Sequence, residues 1–202
     1  MNAPLAPSTF LTAIEMVPRD PILGVTEAFN ADTRPNKVNL GVGVYNDDNG
    51  KLPLLDCVKS AERAMTDKSS PRGYLPIDGI AAYDKSAQAL LFGAASEVVT
   101  SGRAITLQAL GGTGALRTAA DFLRRFSPTS QAWISDPSWE NHRALFEGAG
   151  FVVNSYRYYD AATRGLDFEG MIDSLQKIPS GGVVVLHACC HNPTGVDPTP
   201  AQ

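Results

Sequence analysis

The chain is short of cysteine, of long apolar runs and of clustered charge of either sign. Its cysteines are Cys57, Cys189 and Cys190, and with two of the three adjacent no disulfide framework can be built. No apolar stretch approaches the roughly 18 residues that span a bilayer, so a transmembrane helix is excluded. Basic residues never run longer than Arg124-Arg125, which leaves no polybasic surface for nucleic acid or membrane. The start, Met1-Asn2-Ala3-Pro4-Leu5-Ala6-Pro7, lacks the basic opening and apolar core of a secretory signal. Internal repeats and low-complexity tracts are missing as well. These absences predict a reduced, soluble, cytoplasmic protein.

What remains is an ordinary globular composition. The 202 residues are 44% apolar and 19% charged, with 17 Lys plus Arg against 21 Asp plus Glu for a net charge of -4. A packed core is within reach of such a chain. Residues 1–20 hold Pro4, Pro7 and Pro18 with little periodicity, and read as an arm rather than as core. A helical stripe follows at Ile22, Val25 and Phe29, then β-rich residues from Val38 to Tyr45, then the turn-like Asn46-Asp47-Asp48-Asn49-Gly50. Helices are expected at about 55–66 and 78–92.

From residue 104 strands and helices alternate. Strands are expected at 104–110, 132–135, 151–156 and 182–189, and helices at 113–126, 141–147 and 168–177. That rhythm predicts βαβ units, hence an α/β fold with a mostly parallel sheet covered by helices on both faces. Ligands in such folds gather at the carboxyl ends of the strands, and three of these ends carry unusual residues.

The first is Gly111-Gly112-Thr113-Gly114-Ala115-Leu116-Arg117. Glycines allow close backbone approach, and the free N–H groups of a helix start suit a phosphate; a tight turn without a ligand explains the same residues. The second is Asp136-Pro137-Ser138-Trp139-Glu140-Asn141-His142. Trp139 there is either a half-buried packing residue or a flat ring for stacking on a planar ligand, and His142 falls on the same side if the segment is helical. The third is His187-Ala188-Cys189-Cys190-His191-Asn192-Pro193-Thr194-Gly195. Strand alternation separates Cys189 from Cys190, and C-x₂-C spacing is missing, so no metal site is expected. Asn192-Pro193 is a common turn opener that also presents a side-chain amide at the ligand edge.

In this order, with Asp20-Pro21-Ile22-Leu23, Val38-Asn39-Leu40-Gly41-Val42-Gly43-Val44-Tyr45 and Tyr74-Leu75-Pro76-Ile77-Asp78-Gly79 upstream, the motifs resemble the class I aminotransferases, in their aspartate and aromatic amino-acid branch. The resemblance implies the large domain of a fold-type I enzyme, with residues 1–20 as N-terminal arm, 21–50 as part of a small domain and 51–202 as the first part of the cofactor domain. It implies pyridoxal 5′-phosphate, and amino transfer from aspartate or an aromatic amino acid to 2-oxoglutarate. Gly111, Gly112 and Thr113 are then expected at the cofactor phosphate, Trp139 on the pyridine ring and Asn192 at the ring's 3-oxygen. Trp139, Asn192 and Gly43 would line the substrate site, with His142 behind the ring tuning the pyridine nitrogen. Tyr74 would reach the phosphate in a neighbouring subunit, which implies a homodimer with shared active sites, its arm packed on the partner.

One departure stands out. The Schiff-base lysine of such enzymes, the aspartate facing the pyridine nitrogen and the substrate-binding arginines lie downstream of the Asn-Pro-Thr-Gly motif, whereas the last lysine here is Lys177. The chain therefore resembles the front half of an enzyme about twice its length, inactive alone. Tyr74-Leu75-Pro76, Glu140-Asn141-His142 and Leu52 lean toward the aromatic members, while Val44 and Thr113 lean toward the aspartate members. Two other readings remain open at this point. One is a dinucleotide-binding domain using Gly112-x-Gly114 and Asp136, with Arg117 where the third glycine belongs; the other is a catalytically silent protein of the same fold.

Overall fold

The computed structural model describes residues 14–15, 21–39, 41 and 43–202, and the side chains of all of these but residues 21–23. Apart from Ile14 and Glu15, the expected arm lies outside the described residues, as do Asp20, Leu40 and Val42. The chain divides into two compact units, Met1–Arg72 and Gly73–Gln202.

In the first unit the helical stripe becomes α1 (Pro21–Ala31), and the second expected helix becomes α2 (Asp56–Asp67). No strand forms between them among the described residues. Local bonds serve this stretch instead: Asn39 Oδ1 accepts from Gly41 N–H at 2.9 Å, and Asp47 Oδ1 accepts from the N–H groups of Asn49 and Lys51 at 2.9 Å each. Short polar side chains of this kind compete with ladder pairing.

The second unit opens with α3 (Ala81–Phe92), the short α4 (Glu97–Thr100) and α5 (Gly111–Phe126). The expected strand at 104–110 has no ladder partner among the described residues. It is tied by Gln108 instead, whose N–H donates to Asp78 O at 2.9 Å and whose Oε1 accepts from Ile80 N–H at 3.0 Å. The sheet is built farther on, from β1 (Ala132–Asp136), β2 (Val153–Arg157) and β5 (Val183–Val184), with α6 (Glu140–Gly148) and α7 (Phe168–Gln176) as crossovers. A small antiparallel pair, β3 (Tyr159–Asp160) and β4 (Gly165–Leu166), sits between β2 and α7.

The order is β2-β1-β5, all parallel. Register aligns Ala132 with Val153 and Val183, and Ser135 with Tyr156. Period-two alternation then sorts the side chains onto two faces. Ala132, Val153, Val183 and Val185 pack with Ala120 of α5 and Phe146 of α6, while Trp133, Tyr156 and Val184 pack with Met171 and Leu175 of α7. Helices therefore cover both faces, as the alternating pattern requires. Each fully buried Phe there contributes about 1.5–3 kcal/mol.

β5 is shorter than the 182–189 expected. Val185 N–H still donates to Trp133 O at 2.9 Å, but β5 is an edge strand with no partner on its outer side among the described residues. Pairing stops there and the chain turns into the 187–197 loop.

Candidate active site

The three motifs meet at one edge of the sheet because of how the parallel connections run. α5 leads back into β1 and packs on it through Ala120 and Ala132, so its first turn lies at the carboxyl end of β1. α6 begins at that same end, with Trp139 at its N-cap. The 187–197 loop leaves β5, which runs parallel to β1, and His191 Nε2 lies 2.8 Å from Ser135 Oγ in the last turn of β1.

The glycine motif is open and exposed. α5 starts two residues earlier than expected, at Gly111, with φ of +64°, and no side chain caps its N-terminus. Nothing lies within 4 Å of where a Cβ would sit on Gly111 or Gly112. Uncapped N–H groups, Thr113 among the residues carrying them, thus face open space at a positive helix end, which suits an anion.

At the second motif the chain leaves β1 through a cis Asp136-Pro137 bond. Trp139 is half-buried, and its ring meets His142 edge-on, 5.3 Å between centroids at 88°. His142 is buried, and its Nδ1 lies 2.9 Å from Ser138 Oγ. A cavity of about 310 Å³ opens beside Trp139, lined also by Asp136, Ser138, Glu140, Arg143 and Ser155.

The third motif continues the row inward. His187 lies edge-on to His142 at 5.1 Å and tilted to His191 at 4.4 Å, and Tyr158 stacks on His191 at 3.9 Å and 14°. All three histidines of the chain therefore stand in one row behind Trp139. Burial lowers the pKa of each; neighbouring imidazoles add to this at His142 and His191, while the Asp197 charge opposes it at His187 and His191. His191 is taken down to about 4. The row is neutral at physiological pH. Asp197 is held below the usual carboxylate range by the backbone N–H groups of His191 and Cys190, at 2.8 and 2.6 Å. Burial pushes Tyr156 up to about 12.

Asn192 itself is exposed, at a cis bond to Pro193. Cys189 and Cys190 are outside any strand, and Cys190 has φ of +53°, so strand alternation does not govern them. The two thiols lie close enough that Cys189 raises the pKa of Cys190. Among the described residues no group of His, Cys, Asp and Glu is arranged to hold a metal ion.

The structure thus brings Trp139, His142 and the Asn192 turn together through the histidine row, with the Gly111–Thr113 turn at the same sheet edge. Tyr74 belongs to the same unit and stands fully exposed. Gly43 belongs to the first unit, exposed with open space around its Cα. Sequence reasoning overlooked Ser135, Tyr156, Tyr158, His187, His191 and Asp197 as parts of one site. A signal existed: every histidine falls inside two strand-end motifs, more than chance turns would collect.

Comparison with known proteins completes the picture. Residues 35–202 match the family described as aminotransferase class I and II. The chain is 61% identical over 189 residues to an aspartate aminotransferase of Pseudomonas aeruginosa, covering 94% of this chain and 48% of that enzyme. It is likewise 61% identical to an aromatic-amino-acid aminotransferase from Burkholderia pseudomallei, solved covalently bound to pyridoxal phosphate, with a TM-score of 0.89 over 96% of this chain and 48% of that one. An aspartate aminotransferase from the cytoplasm of Saccharomyces cerevisiae is 40% identical, with a TM-score of 0.84 over 94% of this chain and 46% of that one. The chain spans about half the length of the relatives it matches. The dinucleotide reading loses its footing here, and Arg117, in place of its third glycine, pairs with Asp121 at 2.8 Å. With its fold, its strand-end motifs and its relatives in agreement, the chain belongs to the class I and II aminotransferases.

Proposed function

We propose that the protein serves amino-group transfer from aspartate or an aromatic amino acid to 2-oxoglutarate, with pyridoxal 5′-phosphate held at the carboxyl edge of the sheet. The observation that carries this reading is the joining of Trp139 and the Asn192 turn across β1 and β5 by the histidine row, beside an uncapped, glycine-lined helix start.

The residues present fit the binding half of such a site. Gly112 and Thr113 would take the phosphate on N–H groups that no side chain caps, with Gly111, whose own N–H donates to Ala109 O at 3.0 Å, making the turn. Trp139 would cover the ring with a half-exposed face, its own orientation fixed from behind by buried His142. The Asn192 amide would donate to the 3-oxygen from its exposed position. When bound, the cofactor supplies an electron sink for carbanion chemistry. The chain's own contribution is to bind and orient. Neutral His142 would keep added positive charge away from the pyridine side, and half-buried Trp139 with buried Tyr158 would limit water there. No lysine follows Asn192 in the 202 residues, so the group that moves the substrate proton is not among these residues, and the chain by itself is expected to be inactive.

Tyr74, fully exposed, is proposed to reach the phosphate site of a second subunit, in a homodimer with shared active sites. Gly43 is proposed to line the substrate site, residues 21–50 to form part of a small domain and 51–202 part of the cofactor domain. No helix among the described residues is long and apolar enough to cross a membrane; the cytoplasm is proposed as the location. Aspartate and aromatic relatives match at the same 61% identity, and the specificity between them stays with residues that complete the pocket.

Titration of the purified protein with pyridoxal phosphate, read as a visible absorption band and quenching of tryptophan fluorescence, tests the reading. Saturable binding that Trp139→Ala weakens supports it. Absence of saturable binding overturns it, and binding without turnover in any product of the complete coding sequence leaves a silent member of the family.

A further inference from the structure

The Asn192 turn lies between two left-handed residues, Cys190 with φ of +53° and Gly195 with φ of +65°. Glycine reaches that conformation without steric cost, whereas a residue with a Cβ does not. The other left-handed residue with a side chain among the described residues is Arg164, with φ of +56°, in the connection between β3 and β4. Hairpin connections call for such a residue. Cys190 stands in no hairpin and at no helix end. Something else must therefore hold it.

That holder is Asp197. A left-handed turn at Cys190 points its N–H and the next one to the same side, which makes a small concavity for an anion. The Asp197 carboxylate fills it, Oδ2 accepting from Cys190 N–H at 2.6 Å and Oδ1 from His191 N–H at 2.8 Å. Both bonds are charge-assisted, with one oxygen for each donor. Asp197 is itself exposed, and its place is set through its neighbour: buried Tyr158 donates its hydroxyl to Val196 O at 2.7 Å. Within the loop so closed, Gly195 N–H donates to His191 O at 2.7 Å and Val196 N–H to Thr194 Oγ1 at 3.2 Å. The main chain is thus fixed both before and after Asn192, the residue that follows directly on His191.

We propose that Asp197 is the positioning residue of the Asn192 turn: its carboxylate holds Cys190 in the left-handed conformation and so sets where the main chain presents Asn192. This role rests on the function proposed above for Asn192, and it adds a residue that acts through the main chain alone.

Backbone amide spectra of the purified protein, without cofactor, give the first readout. In the wild type the Cys190 and His191 amide protons are expected far downfield and slow to exchange. Asp197→Asn keeps the shape of the side chain but leaves one oxygen for two donors. Those resonances should then move upfield and exchange about tenfold faster, the counterpart of one lost hydrogen bond. Wild-type amides that exchange as fast as those of an open loop overturn the clasp. The Asn192 and Gly195 amides should shift in the same variant. If they stay in place, the positioning role is overturned, whether or not cofactor binds.

The second readout is pyridoxal phosphate affinity. Asp197→Asn is expected to weaken it about tenfold, the worth of one well-placed hydrogen bond. The pair Asp197→Asn/Asn192→Ala should be no weaker than Asn192→Ala alone, because both act through one residue. Additive losses would show that Asp197 acts by another route and overturn the proposal. A second-site change separates positioning from general loss of structure. Glycine takes the left-handed conformation freely, so adding Cys190→Gly to Asp197→Asn should recover several-fold of the lost affinity. No recovery overturns the link through Cys190. If the wild type binds no pyridoxal phosphate, the function proposed above fails, and the amide spectra still decide the clasp. Should Asp197→Asn not fold, Asp197→Glu, which keeps the charge on a longer arm, carries the same comparisons.

Discussion

Residues 73–126 and residues 132–197 belong to one compact unit, yet they resolve their apolar surface in opposite ways. In the later stretch Ala132, Ile134, Phe146, Phe151, Tyr156 and Tyr158 are all buried, and the large apolar residues left exposed are Val152 and Leu186. In the earlier stretch Ala120 is the buried hydrophobic residue, and Tyr74, Ile77, Leu90, Ile105 and Leu110 are all at least 87% exposed. Both stretches have the apolar spacing of core elements. The difference is pairing. β1 has a strand on each side and helices over both faces, so its side chains pack on both, whereas 104–110 has no strand beside it among the described residues and leaves Ile105, Leu107 and Leu110 exposed. A strand pattern specifies a face, and only pairing into a sheet with a layer packed over it turns that face into core.

Truncating core side chains in the two stretches is the strongest way to break the comparison. Phe146→Ala removes a ring that is 3% exposed and packs edge-on against Phe151 at 5.5 Å. About 3–5 kcal/mol of unfolding free energy should be lost. Leu110→Ala, at a residue 93% exposed, should change stability by less than about 0.5 kcal/mol. Urea unfolding followed by circular dichroism measures both. Equal losses would mean that 104–110 is covered in solution.

That contrast also explains what could be read from the sequence. Elements whose partners lie nearby in the chain were legible: the alternation from Ala132 to Gln176 predicted β1, β2, α6 and α7 within two residues, though not the short β3–β4 pair, because β1 meets β2 by a short connection. The strand expected at 104–110 and the outer half of β5 failed for one reason, since edge pairing depends on residues that local pattern does not contain. At the site, Trp139, Asn192 and the glycine turn were legible as motifs, because each breaks the composition of an ordinary loop. Ser135 was not, being a small residue inside a strand whose role comes only from its register beside Tyr156 and the reach of His191 across β5. Asp197 was invisible for a similar reason. Its carboxylate works by taking backbone N–H groups six and seven residues upstream, a link that no side-chain spacing announces.

Acid titration sharpens the comparison from the buried side. The neutral row of His142, His187 and His191 has pKa values below the ordinary 6.5, with His191 at about 4. In the unfolded chain these rings bind protons at higher pH than in the folded one. The unfolded state is therefore favoured as pH falls through 6.5, and the stability the row confers, complete above that pH, is lost progressively down to about 4. For His191 the loss should be about 2–3 kcal/mol. His191→Phe should flatten this part of the curve. A wild-type curve that is level between pH 6.5 and pH 4, read by urea midpoints, would mean that the imidazoles are hydrated and the row is not sealed.

The smallest effect on stability should come from the open end of the glycine turn, and there stability and function are expected to separate. Gly112 lies in the first turn of α5, its φ is not in the left-handed region, and a Cβ added to it meets nothing within 4 Å. Gly112→Ala should therefore be tolerated and raise stability by about 0.4–1 kcal/mol, because alanine restricts the unfolded chain more than glycine does. Gly111 next to it is different, with φ of +64°, and alanine there should lower stability by about 1 kcal/mol as a left-handed non-glycine residue. If the turn takes a phosphate on its backbone N–H groups, the methyl group of Gly112→Ala stands in the ligand's space, and pyridoxal phosphate should bind more weakly to a protein that is more stable. Paired urea unfolding and cofactor titration of the two variants read this directly. A Gly112→Ala protein that is more stable and binds pyridoxal phosphate as tightly as the wild type would move the phosphate away from this helix start, and leave the two glycines as a tight turn.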